Sequence, residues 1–391
     1  MRAATRLAAV PMPFLFETEE HVALRAQARR FAAAEIAPHA AAWEEAEEFP
    51  RELYARIAAA GLTGVGYPEA VGGSGGDLGH VLAVSDELVL AGTSVGTIVG
   101  LGSHGIAAPP IVRFGTDAQK ARFVLPVVRG EQVAALAVTE PGGGSDVAAL
   151  TTRAVRDGDH YVVTGAKTFI TSGCRADWVL AAVRTGGPGH GGISFLVIER
   201  GTPGFSVSKK LRKTGWWASD TAELAFDDCR VPVANRIGGE HGAFPIIMSN
   251  FASERLMLAG QCVAIAELAY REARRYARER EAFGKPLAGF QVTRHKLADM
   301  ATRIAAIRAL TAEAAVRVIR GEFAPALCAM AKNAATDACS FVVDAAVQIF
   351  GGAGYLRDVV VERLSRDARL LPIGGGTQEV MKEIIARSMG F

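Results

Sequence analysis

The spacing of hydrophobic residues changes twice along this chain, and this change constrains the fold more than any other feature of the sequence. Up to about residue 131, apolar residues recur every three or four positions, as Leu24, Ala28 and Phe31 do, which is typical of helices. From residue 132 to about residue 239, short apolar runs alternate with clusters of Gly, Pro, Asp and Thr, which is typical of strands. Long helical patterns return after Gly242.

This order predicts an α+β multidomain protein, because 391 residues are too many for one ordinary core. An N-terminal all-α domain spans residues 16–131, a central β domain residues 132–241, and a C-terminal four-helix bundle residues 242–391. No long helical pattern separates the strands, so the β domain is expected to be antiparallel rather than built of βαβ units. The predicted strands are residues 133–138, 160–163, 179–183, 193–198 and 223–226, and the predicted bundle helices are residues 244–280, 290–320, 324–350 and 377–388.

Charge and cysteine content exclude several classes of function. Lys plus Arg number 43 and Asp plus Glu 41, so the basic excess of a nucleic-acid-binding surface is missing, and aromatic residues make up only 7%. The five cysteines form no CxxC pair and the histidines no HExxH motif, so we expect neither a disulfide framework nor a metal site. Scattered free cysteines fit a reducing compartment, and we expect a bacterial cytoplasmic protein or, in a eukaryote, one of the mitochondrial matrix.

Two segments raise the question of membranes and targeting. Residues 88–112 contain no charged side chain, and Gly92, Gly96 and Gly100 form a GxxxGxxxG pattern that also packs membrane helices. The stretch is diluted by Ser, Thr and Gly and contains His104, so it predicts one buried helix of a soluble domain and no membrane span. Residues 1–14 carry two Arg and no acid; they are either a presequence remnant or a variable, disordered start, and the composition favours the second.

Two long motifs carry a resemblance to a known family. A glycine loop at residues 142–146 follows a predicted strand, and by itself it is either a tight turn or a set of bared amides for a ligand. The full string AVTEPGGGSDVAA, residues 137–149, resembles the first signature of the acyl-CoA dehydrogenase family. The string QIFGGAGY, residues 348–355, with Asp358, Arg363 and Asp367 after it, resembles the second. Shorter matches extend the resemblance from about residue 16 to residue 391, and it implies the same three-domain architecture.

The resemblance implies FAD as the cofactor. In the family, residues 136–145 lie along the flavin and residues 169–171 flank its ring, where Phe169 replaces the usual Trp. Other matching positions reach the diphosphate and adenosine half of a neighbouring subunit's cofactor, which implies a homo-oligomer, with a tetramer favoured and a dimer as the alternative. The residues expected to bind FAD are Leu136, Val138, Thr139, Gly144, Ser145, Phe169, Ile170, Thr171, Arg280, Phe283, Gln291, Gln348, Phe350, Gly351, Gly352, Thr377 and Glu379.

The catalytic base is where the sequence departs from the commonest family pattern. That pattern has Glu in a Tyr-Glu-Gly-Thr string, whereas residues 373–377 here read IGGGT and place Gly375 at the position of the base. Either the protein is a non-catalytic relative, or its base lies elsewhere. Glu254 is a candidate because it interrupts an apolar helical stripe, where a carboxylate is costly unless it is paired or used. The residues alone leave both a buried ion pair and a base open, although Arg255 points about 100° away on an ideal helix.

The family resolves this choice. Its isovaleryl and long-chain members have Gly at the first position and Glu in a Glu-Arg-Leu string, which residues 254–256 match. We therefore predict Glu254 as the base, with the backbone amide of Gly375 and a flavin ribityl hydroxyl binding the thioester oxygen. Residues 374–376 are expected to leave space beside the reacting carbons. The residues expected to bind substrate are Ser145, Phe251, Arg255, Gly375 and Gly376.

The predicted function is FAD-dependent α,β-dehydrogenation of a saturated acyl-CoA, of medium or long chain, to the trans-2-enoyl-CoA. A branched-chain enzyme of the isovaleryl or citronellyl type and an acyl-CoA oxidase-like flavoenzyme are the alternatives. The expected electron acceptor is an electron-transfer flavoprotein. Two rivals of other classes are a non-catalytic flavoprotein with a binding role, which only the missing carboxylate at Gly375 supports, and a helical scaffold without cofactor, which a yellow purified protein would exclude.

Overall fold

Short helices build the N-terminal part of the chain. The computed structural model describes Phe14 and residues 16–391, so the expectation for residues 1–14 lies outside the described residues apart from Phe14. The helices are α1 Glu19–Glu35, α2 Ala40–Glu45, α3 Glu52–Ala59, α4 Leu78–Gly92, α5 Val95–Leu101, α6 His104–Ala107, α7 Pro109–Phe114, α8 Asp117–Gln119 and α9 Leu125–Val128. Asp77 caps α4 by accepting hydrogen bonds from the backbone N–H groups of Gly79 and His80.

The uncharged stretch at residues 88–112 is not the single helix predicted. It runs through the end of α4 and through α5, α6 and into α7, and the chain bends by 43° between α5 and α6–α7. Thr93 ends α4 in the left-handed region at φ 56° and Ser94 caps α5, so local capping interrupts the apolar run. A Cβ at Gly100 would lie 2.5 Å from the ring of Phe49, which explains the glycine by close packing inside the protein.

One helical segment of the described residues, Pro325–Tyr355, is long and apolar enough to cross a membrane by length and composition. Of its most apolar window 44% is buried inside the protein, and the core helix of a soluble protein passes the same test. The helices α5 and α6–α7 are long and apolar enough only if the bent pair is taken together as one segment.

A mixed sheet forms the centre of the chain, in the order β6-β7-β3-β2-β4-β5-β8 with β1 beside β4. Most neighbours are antiparallel as predicted, but β1 runs parallel to β4, with Ala134 opposite Trp178. The strands β2, β6 and β8 were not predicted; β6 is exposed along nearly its whole length, so it shows no apolar run. The strands are β1 Ala134–Ala137, β2 Arg153–Asp157, β3 His160–Thr171, β4 Trp178–Arg184, β5 Ile193–Glu199, β6 Phe205–Lys210, β7 Thr221–Pro232 and β8 Arg236–Ile237.

The C-terminal part is a helical bundle whose four predicted helices all form. A fifth, shorter helix, α13, was not predicted, since its nine residues were interpreted only as part of a motif. A Cβ at Gly260 of the first bundle helix would lie 2.6 Å from Leu82 of α4, so the bundle and the N-terminal helices share one core. The elements are α10 Ala243–Glu279, β9 Glu281–Ala282, β10 Lys285–Pro286, α11 Gln291–Ile319, α12 Pro325–Phe350, α13 Val360–Ala368 and α14 Gln378–Ser388.

Candidate active site

Glu254 holds a carboxylate inside α10 that no protein group neutralises. Its Oε2 is buried and has no hydrogen-bond partner, and no cation lies within ion-pair distance of it in the described part of the chain. Burial raises the pKa of Glu254 to about 7, against the smaller opposing effect of the positive charges of Arg255 and Lys332. The buried ion pair left open by the sequence is therefore absent, and the carboxylate is tuned to exchange a proton near neutral pH.

Gly375 faces this carboxylate across a short gap. A Cβ at Gly375 would lie 3.6 Å from Oε1 of Glu254, so the two positions at which the family places its base border the same space. The backbone at Gly375 has φ +64°, a conformation that favours glycine.

The space expected beside the glycines is not open. The same Cβ at Gly375 would lie 2.5 Å from Cδ1 of Leu258, and a Cβ at Gly376 would lie 2.7 Å from Cε of Met381. The expectation that residues 374–376 leave free volume is wrong at these two positions, because the side chains of Leu258 and Met381 take up the room.

The backbone of the glycine segment is held by its carbonyl groups. Arg255 donates from Nε to the carbonyl oxygen of Gly375 at 3.4 Å, and Lys332 donates from Nζ to that of Gly376 at 2.5 Å. Among the described residues, the N–H of Gly375 donates to no protein acceptor. A fixed backbone with a free amide beside a buried carboxylate is an arrangement that can bind an oxygen on which negative charge develops.

The two segments expected to flank the flavin are joined to each other. The N–H of Thr168 in β3 donates to the carbonyl of Thr139 at 2.9 Å. The fully buried Lys167 donates from Nζ to the carbonyl of Val138 and to Glu140, each at 2.9 Å. The ends of β1 and β3 are thereby fixed side by side. This buried lysine was not singled out from the sequence.

The surface above these segments is open to solvent. Phe169 is 69% exposed with φ +59°, and Ser145 is exposed on the glycine loop. A Cβ at Gly142 or Gly143 would meet nothing within 4 Å, so the amides can be approached closely. Ile170 differs from its neighbours, because its side chain is buried in the sheet core and only its backbone can reach a ligand.

Arg280, one of the residues expected to hold the diphosphate, lies far from Glu254 in the same chain. Arg280 follows α10, 26 positions after Glu254, which corresponds to about 39 Å along the helix axis. Arg280, Phe283 and Gln291 are exposed, and the ring of Phe283 is 96% exposed. We call residues 280–291 the hairpin arm, since they contain β9 and β10.

A second exposed segment, at the end of α12, carries the motif glycines. Gly351 and Gly352 are exposed, and a Cβ on either would meet nothing within 4 Å, which suits close approach of a phosphate group. Gln348 is exposed, whereas Phe350 is buried and stacks on Tyr276 with ring centroids 4.1 Å apart. The side chain of Phe350 therefore packs inside the bundle and leaves its backbone for any ligand.

The remaining predicted residues take different positions. The hydroxyl of Thr377 caps α14 by accepting from the N–H of Val380 at 3.3 Å, and Glu379 is exposed in the first turn of that helix. Leu136 lies in β1 and Thr171 at the end of β3, both partly exposed.

Three potential metal ligands come together away from this site, although the sequence spacing predicted none. Ligand atoms of His21, Asp77 and His80 lie within 4.8 Å of one another. Nδ1 of His21 accepts the N–H of Thr18 at 3.1 Å, and Nδ1 of His80 accepts that of Asp77 at 3.2 Å. Each ring thus serves to cap its own helix, and we infer no metal site there.

Comparison with known proteins agrees with this architecture along the whole chain. The family models of the acyl-CoA dehydrogenase N-terminal, middle and C-terminal domains match residues 18–131, 135–229 and 242–390. A mitochondrial isobutyryl-CoA dehydrogenase from Bos taurus is 41% identical over 96% of this chain and 90% of its own. A long-chain specific acyl-CoA dehydrogenase from Sus scrofa is 37% identical over 95% of this chain and 87% of its own.

A crystal structure of a probable acyl-CoA dehydrogenase from Mycobacterium abscessus is 52% identical, with a TM-score of 0.94 over 95% of this chain and 99% of the other. The chain belongs to the acyl-CoA dehydrogenase family. It is an oxidoreductase acting on acyl-CoA, and its cofactor is FAD.

Proposed function

We propose that this protein converts a saturated acyl-CoA to the trans-2-enoyl-CoA, with Glu254 as the base. The observation that carries the proposal is the buried, unpaired carboxylate facing the free amide of Gly375. An ion pair would have neutralised the carboxylate of Glu254, and a protein acceptor would have occupied the N–H of Gly375. Neither is found among the described residues, so both groups are available to a substrate.

Glu254 takes the proton from the α carbon of the thioester. As the C–H bond breaks, negative charge develops on the thioester oxygen, and the N–H of Gly375 donates a hydrogen bond to it. The bound FAD supplies the acceptor for the hydrogen and electron pair that leave the β carbon, so a carbon–carbon double bond forms. Phe251 and Leu258 are partly buried on the same face of α10 as Glu254, and burial is what raises the pKa of this carboxylate.

The substrate range is expected to include medium and long straight chains. The position of the proposed base resembles that in the long-chain members, and three relatives at 37%, 36% and 35% identity are named long-chain specific acyl-CoA dehydrogenases. Pocket contacts distinguish one methylene by only about 1–3 kcal/mol, so the range should be broad. Branched chains are the second candidate, because two relatives at 41% and 38% identity are named isobutyryl-CoA dehydrogenases.

Anaerobic bleaching of the flavin by a panel of acyl-CoAs tests both the reaction and the range. The panel contains butyryl-, isobutyryl-, isovaleryl-, octanoyl-, palmitoyl- and citronellyl-CoA. Bleaching by none of them would contradict the reaction. If butyryl-CoA exceeded every longer thioester in kcat/KM, the medium- to long-chain assignment would be wrong.

We infer that the electrons pass to an electron-transfer flavoprotein. A chain in a solved structure of the electron-transferring flavoprotein of Acidaminococcus fermentans is 37% identical to this chain, with a TM-score of 0.93. The oxidase alternative is supported by the similarity of this chain to a prolyl acyl carrier protein oxidase, which has the same fold and is 28% identical. Rapid oxygen consumption with acyl-CoA and no added flavoprotein would favour the oxidase.

The exposed hairpin arm supports a homo-oligomer in which each FAD is bound by two chains, with a tetramer favoured over a dimer. Large apolar side chains such as Phe283 and Tyr355 are 96% and 86% exposed near the two diphosphate segments. Light scattering on the holoprotein measures the assembly directly, and a monomer that retains FAD would contradict the proposal. The expected location is the bacterial cytoplasm or the mitochondrial matrix.

A further inference from the structure

Lys332 is a fully buried cation that the proposed reaction does not yet use. It lies on α12 among Ala and Cys residues, with no side-chain exposure. Burial lowers the pKa of its ammonium group to about 8. Among the described residues, its one hydrogen bond is donated from Nζ to the carbonyl oxygen of Gly376, at 2.5 Å. A buried ammonium group is costly, so its retention needs an explanation.

The glycine segment is fixed on both sides of its free amide. Before it, the N–H groups of Ile373 and Gly374 donate to the carbonyl of Leu370 at 2.8 and 2.9 Å. After it, Arg255 and Lys332 hold the carbonyls of Gly375 and Gly376. The two cations come from different helices, α10 and α12, so the segment is clamped across the bundle.

The two glycines make this clamp necessary. Gly375 and Gly376 have φ values of +64° and +98°, and glycine has the widest freedom of rotation about its backbone bonds. Without the carbonyl contacts the Gly375 amide could turn away from the space in front of Glu254. A hydrogen bond to an oxygen that gains charge depends on direction, so a loosely held amide would stabilise it poorly.

We propose that Lys332 is a positioning residue, which fixes the carbonyl of Gly376 and thereby aims the amide of Gly375 at the thioester oxygen. This inference rests on the proposed function. The positive charge of Lys332 also lies close enough to Glu254 to favour the ionised carboxylate. The side chain of Lys332 has no exposed surface, so its loss should affect the chemical step more than the binding of acyl-CoA.

The test uses a 3-thiaacyl-CoA, which cannot be dehydrogenated because sulfur replaces the β carbon, while its α proton is acidic. Bound as the enolate beside oxidised flavin, it gives a long-wavelength absorbance band whose pH midpoint reports how well the site stabilises the negative oxygen. Lys332→Met removes the charge and the donor at similar size. Asn333→Leu is the matched control, because Asn333 on the same helix donates to the carbonyl of Gln378 at 3.1 Å, just past the glycine segment.

Lys332→Met should move the midpoint upward by about one unit or more. It should lower the rate of flavin reduction roughly 10- to 100-fold, with little change in KM, less than removal of an oxyanion donor itself. Asn333→Leu should lose stability but keep the wild-type midpoint, and Lys332→Arg should recover part of the effect. Equal midpoints in wild type and Lys332→Met, or an equal shift in Asn333→Leu, would overturn the assignment.

The outcomes separate this inference from the proposed function. If the wild type gave neither the band nor bleaching by acyl-CoA, the proposed function would fail. If the wild type gave both and Lys332→Met matched it, only the positioning role would fail. Should Lys332→Met not retain flavin, Lys332→Arg and Lys332→Gln carry the test, and midpoints equal to wild type in both would overturn the role.

Discussion

The region around Glu254, Gly375 and Lys332 and the hairpin arm are two parts of the bundle joined by α10. The first is enclosed within one chain, whereas the second is exposed. Glu254, Gly375 and Lys332 lie close together, and α10, α12 and the glycine segment of one chain supply every contact. The hairpin arm projects Arg280 and Phe283 into solvent, and in the described residues no side-chain hydrogen bond or ion pair of Arg280 is found.

This difference fits the proposal that one chain supplies the groups for the chemistry, whereas a second chain helps to bind the cofactor. A carboxylate with a shifted pKa needs a dry, rigid environment, which a single folded core provides. A dianionic diphosphate needs cations and bared amides at an accessible surface, which a second chain can complete. The experiments below test whether these two regions act separately.

The largest effect is expected for Glu254→Gln, which keeps size and hydrogen bonding but removes the proton acceptor. The rate of flavin reduction by acyl-CoA should fall roughly 10²- to 10⁴-fold, while FAD and acyl-CoA still bind. Stopped-flow absorbance under anaerobic conditions measures the rate. A variant with full activity would end the assignment of Glu254 as the base.

The second-largest effect is expected when the carboxylate is moved from position 254 to position 375. The double change Glu254→Thr with Gly375→Glu places a carboxylate at the commoner family position, but φ +64° strains the new residue and Leu258 lies within 2.5 Å of its Cβ. We expect at most roughly 10-fold recovery of the lost rate, given the scale of general-base contributions. Adding Leu258→Ala should increase the recovery; equal rates for the double and triple variants would show that Leu258 does not limit it.

A third experiment tests whether the hairpin arm binds FAD. Arg280→Ala should weaken FAD binding roughly 10- to 100-fold if the guanidinium contacts the diphosphate of a neighbouring chain, the range for a charged hydrogen bond. The melting temperature without FAD should stay unchanged, since Arg280 is exposed. Arg278→Ala, an exposed arginine two positions earlier, is the control and should bind FAD like the wild type. Equal weakening in both would point to general charge instead of a specific contact.

The smallest effect is on stability. Because the folded-state pKa of Glu254 is about 7 and its ordinary value is 4.5, the folded protein binds one more proton between these values. Stability from the neutral carboxyl is complete below about pH 4.5 and is lost as the pH rises through 7. Urea unfolding should therefore find Glu254→Gln more stable than wild type by roughly 1–3 kcal/mol at pH 8, with the gap closing towards pH 4.5. A gap independent of pH would show that the carboxyl titrates normally.

Long periodic segments could be predicted from the sequence because they are set by local residues. The predicted helix at residues 324–350 forms as Pro325–Phe350, and that at residues 244–280 as Ala243–Glu279. The segment at residues 88–112 was assigned one helix and forms several, since capping at Thr93 and Ser94 interrupts a run that is apolar throughout. The exposed strand β6 gave no signal, because pairing with β7 rather than its own apolar pattern makes it a strand.

The candidate site was partly visible in the same way. Glu254 could be found because a carboxylate interrupts an apolar helical face. Lys332 could be found in the same way, because it is the one Lys or Arg between residues 325 and 350. Its role, however, depends on which backbone carbonyl it contacts across the bundle, and the sequence does not show that. The open volume expected from three successive glycines was wrong, because sequence shows which side chains are missing and not which neighbours fill their place.

The sequence by itself determined the order of the three parts, the length of the bundle helices and the position of a carboxylate where apolar residues belong. These depend on residues near one another in the chain, whose periodicity and hydration costs are fixed locally. Only the tertiary structure decided that Glu254 is unpaired, that Gly375 faces it with a free amide, and that Arg255 and Lys332 hold the adjoining carbonyls. Those facts depend on contacts between groups far apart in the chain, such as Arg255 and Gly375, which are 120 positions apart. Burial within the folded bundle is what raises the pKa of the carboxylate to about 7.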